Sequence, residues 1–180
     1  MHPRTSELLE YLDVQRAHLR AVYDRVPPAL RDVSPAPGRW SPAAIIEHLA
    51  IVESRVAKML SSEIAAMRAQ GAGDETSTDP ILPTLNLERV LNRSRPATAP
   101  ERVQPTNLSA DAAWEALERA GEAVRAATLA GDGLALGSVL YPHPIFGPVS
   151  LYEWIAGQGA HEARHAAQID EIVASSKRDA

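Results

Sequence analysis

Toward its C-terminal end the chain reads GQGAHEARHAAQIDEI, residues 157–172, and the centre of that stretch is His161, Glu162, Ala163, Arg164 and His165. Histidines four apart share one helical face a turn apart, which lets two imidazoles reach one ion. H-E-x-x-H is also the pattern in which a zinc peptidase adds a glutamate as base. A peptidase needs more than this. The extended pattern asks for a glycine and a third histidine where Gln168 and Glu171 stand, and the few residues after His165 offer no later helix to supply a glutamate ligand. Glu162 therefore reads either as a residue at the edge of the apolar stripe, solvated or paired with an arginine, or as a base beside a metal.

Composition limits what else the site can be. The sequence has no cysteine, which removes a disulfide framework, a thiolate metal site and a cysteine nucleophile together, so ligands must come from His, Asp and Glu. Eighteen Lys and Arg against 23 Asp and Glu give a net charge of −5, without the basic block that nucleic-acid binding requires. No apolar run approaches a bilayer span, and MHPRTSELLEYLDV lacks the layout of a signal peptide, so the expectation is a cytoplasmic protein with no membrane partner. Its 180 residues fit one domain, residues 1–180, large enough to form a core without metal or disulfides. A bound metal would then be functional first.

Four segments with helical periodicity must position the histidines, and nothing of useful length alternates as a half-buried strand does. The first helix is expected from about Thr5 to Arg25, with Leu8, Leu12, Leu19, Val22 and Val26 on one face, ended by VPPAL. Ser41 and Pro42 mark the start of the second, which carries Ile45, Leu49, Val52, Val56, Met59 and Leu60 and runs to about Arg68. Residues 71–108 are rich in Pro, Thr, Asn and Arg, with one short helix expected in LNLERVLN. So long a connection suits two bundle helices that run in the same direction. The third helix follows Ser109 with Trp114, Leu117, Val124 and Leu129, and a second Gly/Pro-rich connection leads to the fourth, from Leu151 to about Ala174. Ser150 and Glu153 form its capping box. The fold class is all-α, a four-helix bundle with a long crossover between helices two and three.

On the fourth helix Leu151, Trp154, Ile155, Gln158, His161, His165, Gln168, Ile169 and Ile172 form one stripe, so both histidines sit on the face a bundle buries. His48, beside the Ile45–Leu49–Val52 stripe, points inward as well, as a hydrogen-bonded core histidine or as a third ligand. Three imidazoles in one cavity would repel if protonated, and a divalent ion removes that problem. Gln158 reads as a cavity-lining polar group or a boundary residue. His143, ahead of the fourth helix, either projects over the cavity mouth or packs in a turn. His18 falls at a boundary, His2 in a frayed terminus, and Trp40 and Trp154 read as core anchors.

GRWSPAAIIEHLAIVE together with YPHPIFGPVSLYEWIAGQGAHEARHAAQI resembles the DinB/YfiT-like superfamily of metalloenzymes, and the order of helices and connections agrees over most of the chain. The resemblance implies up-down-down-up connectivity and a metal held by His48, His161 and His165. Relatives include thiol S-transferases and a thiol-dependent maleylpyruvate isomerase. Three neutral ligands leave the charge of a 2+ ion uncompensated and a position open, which suits activating water or a thiol. The expectation is a metal-dependent transferase that uses a low-molecular-weight thiol, with a zinc or nickel ion, a small-molecule substrate and a homodimeric state. A hydrolase and a non-catalytic metal-binding or stress-related protein are the alternatives.

Overall fold

Ser41 accepts a hydrogen bond from the Ala44 N–H at 3.1 Å, and Pro42 follows at the first helical position, so the second helix begins where the sequence places it. In this computed structural model, which describes residues 1–94 and 98–176, α1 spans Pro3–Tyr23, α2 spans Pro42–Ala69, α3 is the single turn Glu88–Leu91, α4 spans Ala110–Ala130 and α5 spans Leu151–Ser176. The centre of the crossover and the last four residues lie outside the described part. α1 starts two residues earlier than expected because His2 caps it, accepting from the Arg4 N–H at 3.3 Å. The His2 N–H in turn donates to Asp132 at 2.8 Å, so this end is tied to the bundle and not frayed.

The connectivity is up-down-down-up. α1 and α5 run parallel, since Arg16 meets Glu162 and Arg25 meets Asp170 in the same direction along both helices. α2 and α4 are parallel as well, ending together where Arg68 donates to the Ala130 carbonyl at 2.6 Å. The first half of the crossover between them is tied down at three points. Arg4 pairs with Glu75 at 2.7 Å, Glu7 accepts from the Ile81 N–H at 2.6 Å, and Arg89 pairs with Glu153 at 2.6 Å. Such ties replace the secondary structure that a segment of this length otherwise lacks.

Two apolar clusters fill the interior. One gathers Leu19, Tyr23, Ile45, Leu49, Leu117 and Ile169; the other gathers Leu8, Leu60, Ile64, Leu136, Leu151 and Ile155. Each such side chain contributes roughly 1.5–3 kcal/mol when fully removed from water. Leu129, expected on the buried face of its helix, is 44% exposed; Ala127 and Thr128 turn inward in its place, and the Thr128 hydroxyl donates back to the Val124 carbonyl.

The absence of strands expected from the sequence needs correction. Leu140–His143 pairs antiparallel with Gly147–Ser150, with Tyr141 opposite Val149 and Pro142 opposite Pro148. Four residues per strand are too few for an alternation to register, and the two prolines hide it further. Gly147 has a φ of 73°, which only a residue without Cβ adopts freely, and so begins the returning strand. The hairpin then delivers the chain into α5 through the expected capping box, Ser150 N–H to Glu153 at 2.9 Å and Glu153 N–H to Ser150 Oγ at 3.2 Å.

Candidate metal centre

α5 carries His161 and His165 on its inward stripe, and α2, antiparallel to it, brings His48 across to face them. The ring centroids of His48 lie 5.2 Å from His161 and 5.1 Å from His165, and those of the α5 pair are 4.6 Å apart. One ring nitrogen from each lies within 4.8 Å of the other two, and the Nε2 atoms of His161 and His165 are 3.0 Å apart. A tetrahedral ion with bonds of about 2.0–2.1 Å holds its ligand atoms about 3.3 Å apart, so small ring movements would seat one.

Hydrogen bonds behind the rings aim them inward. His48 Nδ1 lies 2.7 Å from the Val103 carbonyl, which can only accept, so Nδ1 carries the proton and Nε2 keeps its lone pair for the centre. His165 Nδ1 lies 2.9 Å from Gln168 Oε1, which imposes the same tautomer. Gln168, the residue that broke the peptidase pattern, is thus the partner that orients a ligand. Trp40 closes one side, its ring 4.9 Å from that of His48.

All three imidazoles are held neutral. Burial lowers the pKa of His48, and it lowers His165 to about 3, helped by the nearby charge of His48. His161 is lowered well below its ordinary value by burial first, then by His165, His48, Arg164 and His143. An uncharged donor set competes for a cation with no proton to displace. For the metal-free protein this fixes a pH dependence. The unfolded chain takes up protons near pH 6.5 and the folded centre does not, so stability is complete above about 6.5 and is lost as pH falls toward 3. Glu53, whose pKa is raised, acts in the opposite sense above its ordinary 4.5, but one carboxyl is outnumbered by three imidazoles. Urea unfolding in the presence of a chelator should therefore show a midpoint that declines from pH 6.5 to pH 5; a rising midpoint would contradict the neutral cluster.

Of the other residues singled out from the sequence, Gln158 is 5% exposed, its Nε2 donates to the Trp154 carbonyl at 3.0 Å, and its Oε1 is buried without a partner. Because the carbonyl must accept, the amide orientation is settled, and an unfilled acceptor remains one turn ahead of His161. His143 packs in its turn: Nδ1 accepts from the Ile145 N–H at 3.1 Å, and the ring stacks 4.5 Å from Phe146 and 4.7 Å from Trp154. His18 is exposed.

Glu162 is not solvated at a stripe edge; it is 2% exposed and faces an ionic layer beside the centre. Arg16 of α1 donates to Glu162 of α5 at 2.7 Å, to Glu53 of α2 at 2.8 Å and to the Leu117 carbonyl of α4 at 3.1 Å, so one guanidinium binds all four long helices. Burial, then Glu162 beside it, pushes the Glu53 carboxyl well above its usual range against the pull of Arg16, and the two carboxyls are within hydrogen-bond reach of each other. A proton on Glu53 balances the layer. The sequence reading passed over Arg16 and Glu53, although both occupy stripe positions, Arg16 between Leu12 and Leu19 and Glu53 between Leu49 and Val56. It passed over Glu47 too, which is buried beside His48 and accepts from Thr106 N–H at 2.7 Å, Thr106 Oγ1 at 2.6 Å and Leu108 N–H at 2.9 Å. Burial alone would raise its pKa, and these donors hold it below the usual value. Glu47 and His48, adjacent in α2, both secure the returning end of the crossover.

The chain is similar to the protein YuaE of Bacillus subtilis (strain 168), 26% identical over 140 residues that cover 77% of this chain and 80% of that one. Its fold is similar to the crystal structure of TT2238, a four-helix bundle protein, at a TM-score of 0.57 and 22% identity, covering 93% of this chain and 98% of that chain. Residues 6–169 match the DinB superfamily, which takes in every long helix and all three histidines, so the chain belongs to that superfamily.

Proposed function

We propose that the protein is a metal-dependent transferase that joins a low-molecular-weight thiol to an electrophilic small molecule, with zinc or nickel held by His48, His161 and His165. The observation that carries the reading is the set of three neutral imidazoles converging on one point, with two of their tautomers set from behind. When bound, a divalent ion at such a site lowers the pKa of a coordinating thiol or water, because no ligand charge offsets its own. The protein's groups do the rest. Val103 and Gln168 hold the rings, Trp40 packs against His48, and Gln158 keeps a buried, unpartnered oxygen one turn ahead of His161. With no cysteine in the chain, the thiol must come from a cosubstrate. Glu162 gives one oxygen to Arg16 and faces the ionic layer, which argues against a role as base.

A cobalt-substituted sample tests this directly. Adding a small thiol is expected to produce sulfur-to-metal charge-transfer absorption, with an apparent thiol pKa well below about 8.5. Transfer of the thiol to monochlorobimane or maleylpyruvate, lost in His165→Ala, would follow. If no thiol alters the spectrum while esters or amides are cleaved, the reaction is hydrolysis. The second reading is metal binding without catalysis. Failure of thiol and water alike to reach the ion would establish that second reading.

A further inference from the structure

We infer that the open position of the centre is built for an anion, with Arg164 and Arg93 on its rim recognising a negatively charged group on the small molecule that binds there. The inference rests on the metal-dependent reading and adds the charge class of the substrate.

The argument begins with where the acidic side chains around the centre go. Glu162, next to His161, is taken by Arg16; Glu47, next to His48, is filled by Thr106 and Leu108; Glu153 is taken by Arg89 at 2.6 Å. Each of these three carboxylates is engaged by donors other than the imidazoles. Arg164 stands between the two α5 histidines in sequence and reaches across to the crossover, where its Nη1 donates to the Val90 carbonyl at 3.1 Å and to the Asn92 carbonyl. It is partly exposed and has no acidic partner among the described residues; its bonds to the two carbonyls use one nitrogen, and among the described residues nothing engages Nε or Nη2. The same crossover returns at Val103 to hold His48, so the Arg164 guanidinium lies on the rim that the crossover forms around the centre.

Arg93 follows Asn92, whose carbonyl Arg164 holds, and it too reaches α5, so the two guanidinia stand on the same stretch of the rim. Arg93 is paired with Glu171 at 2.7 Å, but that carboxylate is 61% exposed, and such surface pairs are weak enough to be exchanged for a substrate group. Three uncharged ligands, a 2+ ion and the Arg164 guanidinium, which has no acidic partner among the described residues, leave an excess of positive charge that an anionic ligand relieves. A cationic substrate would meet repulsion from every side.

The test uses the full chain loaded with cobalt and three thiols of like reach and different charge: 2-mercaptoethanesulfonate, 2-mercaptoethanol and thiocholine. Neither charged tail chelates the metal well, so charge is the variable. Affinities are read from the charge-transfer band and corrected to the thiolate form of each. The sulfonate is expected to bind about fivefold more tightly than the neutral thiol, with thiocholine weakest, the size of one unit charge acting over several ångströms of partly screened medium. Arg164→Leu should compress that series, Arg164→Lys should keep it, and Arg93→Leu should compress it less. Metal content measured on every sample separates the layers of the argument. A wild-type protein that takes up metal and thiol without regard to tail charge overturns the inference alone, as does a series left unchanged in both leucine variants. A wild-type protein that takes up no metal overturns the metal-dependent reading and this inference with it.

Discussion

Arg16→Met should cost about 3–5 kcal/mol of stability, the loss typical of stripping one partner from a buried ionic cluster. The guanidinium donates to one oxygen of Glu53 and one of Glu162, both residues 2% exposed, and it also donates to the Leu117 carbonyl. Methionine fills similar space and offers none of those donors. Glu162 would then face the protonated Glu53 without a cation, and it must take a proton as well or draw in water. Urea denaturation followed by circular dichroism reads the effect as a lower midpoint at an unchanged slope. Replacing all three residues together, Arg16→Met with Glu53→Leu and Glu162→Leu, should recover most of the loss, because apolar side chains of similar volume carry no desolvation penalty. A single-variant loss below about 1 kcal/mol would mean that the layer is hydrated and behaves as a surface pair.

The second large effect concerns metal and not folding. His161→Ala removes one of three ligands and should abolish tight binding of zinc, nickel or cobalt, while the metal-free variant keeps its helical content and unfolds within about 1 kcal/mol of the metal-free parent. Alanine keeps the helix, and the ring that is lost packs against His48 and His165 and not against the leucines and isoleucines of the core. The contrast appears on adding metal. At a free concentration of about a hundred times Kd the parent gains about 2.7 kcal/mol by mass action, and the variant gains nothing. Thermal unfolding with and without a chelator measures both. Loss of helix on chelation of the parent would make the ion structural.

How far the sequence anticipated this molecule depends on whether a feature is local. Ser41–Pro42 and the Ser150–Glu153 box determine helix starts by short-range hydrogen bonding, and both appear as read. The three-and-four spacing of α5 determines which face is inward, so His161 and His165 were legible as a pair. His48 was legible only as inward-pointing; its convergence on the pair depends on α2 and α5 being antiparallel neighbours, which the family resemblance supplied. Arg16, Glu47 and Glu53 were missed for the opposite reason. A charged residue on an apolar stripe reads as an imperfection until its partner on another helix is known, and those partners lie far away in sequence. The hairpin was missed because two four-residue strands with facing prolines carry almost no periodic signal.

The parallel pairing of α1 with α5 also has a consequence for the order in which the molecule can be made. A chain emerging from the ribosome presents α1, α2 and α4 well before α5 is complete, and α5 supplies Glu162 to the ionic layer and two of the three imidazoles. Until it docks, Leu8 and Leu19 lack the neighbours that cover them in the finished bundle, and His48 faces an unfilled groove. Metal capture can therefore begin only once synthesis has passed His165. Any holdase that shields the nascent chain must release the first helix to the last one before the centre exists.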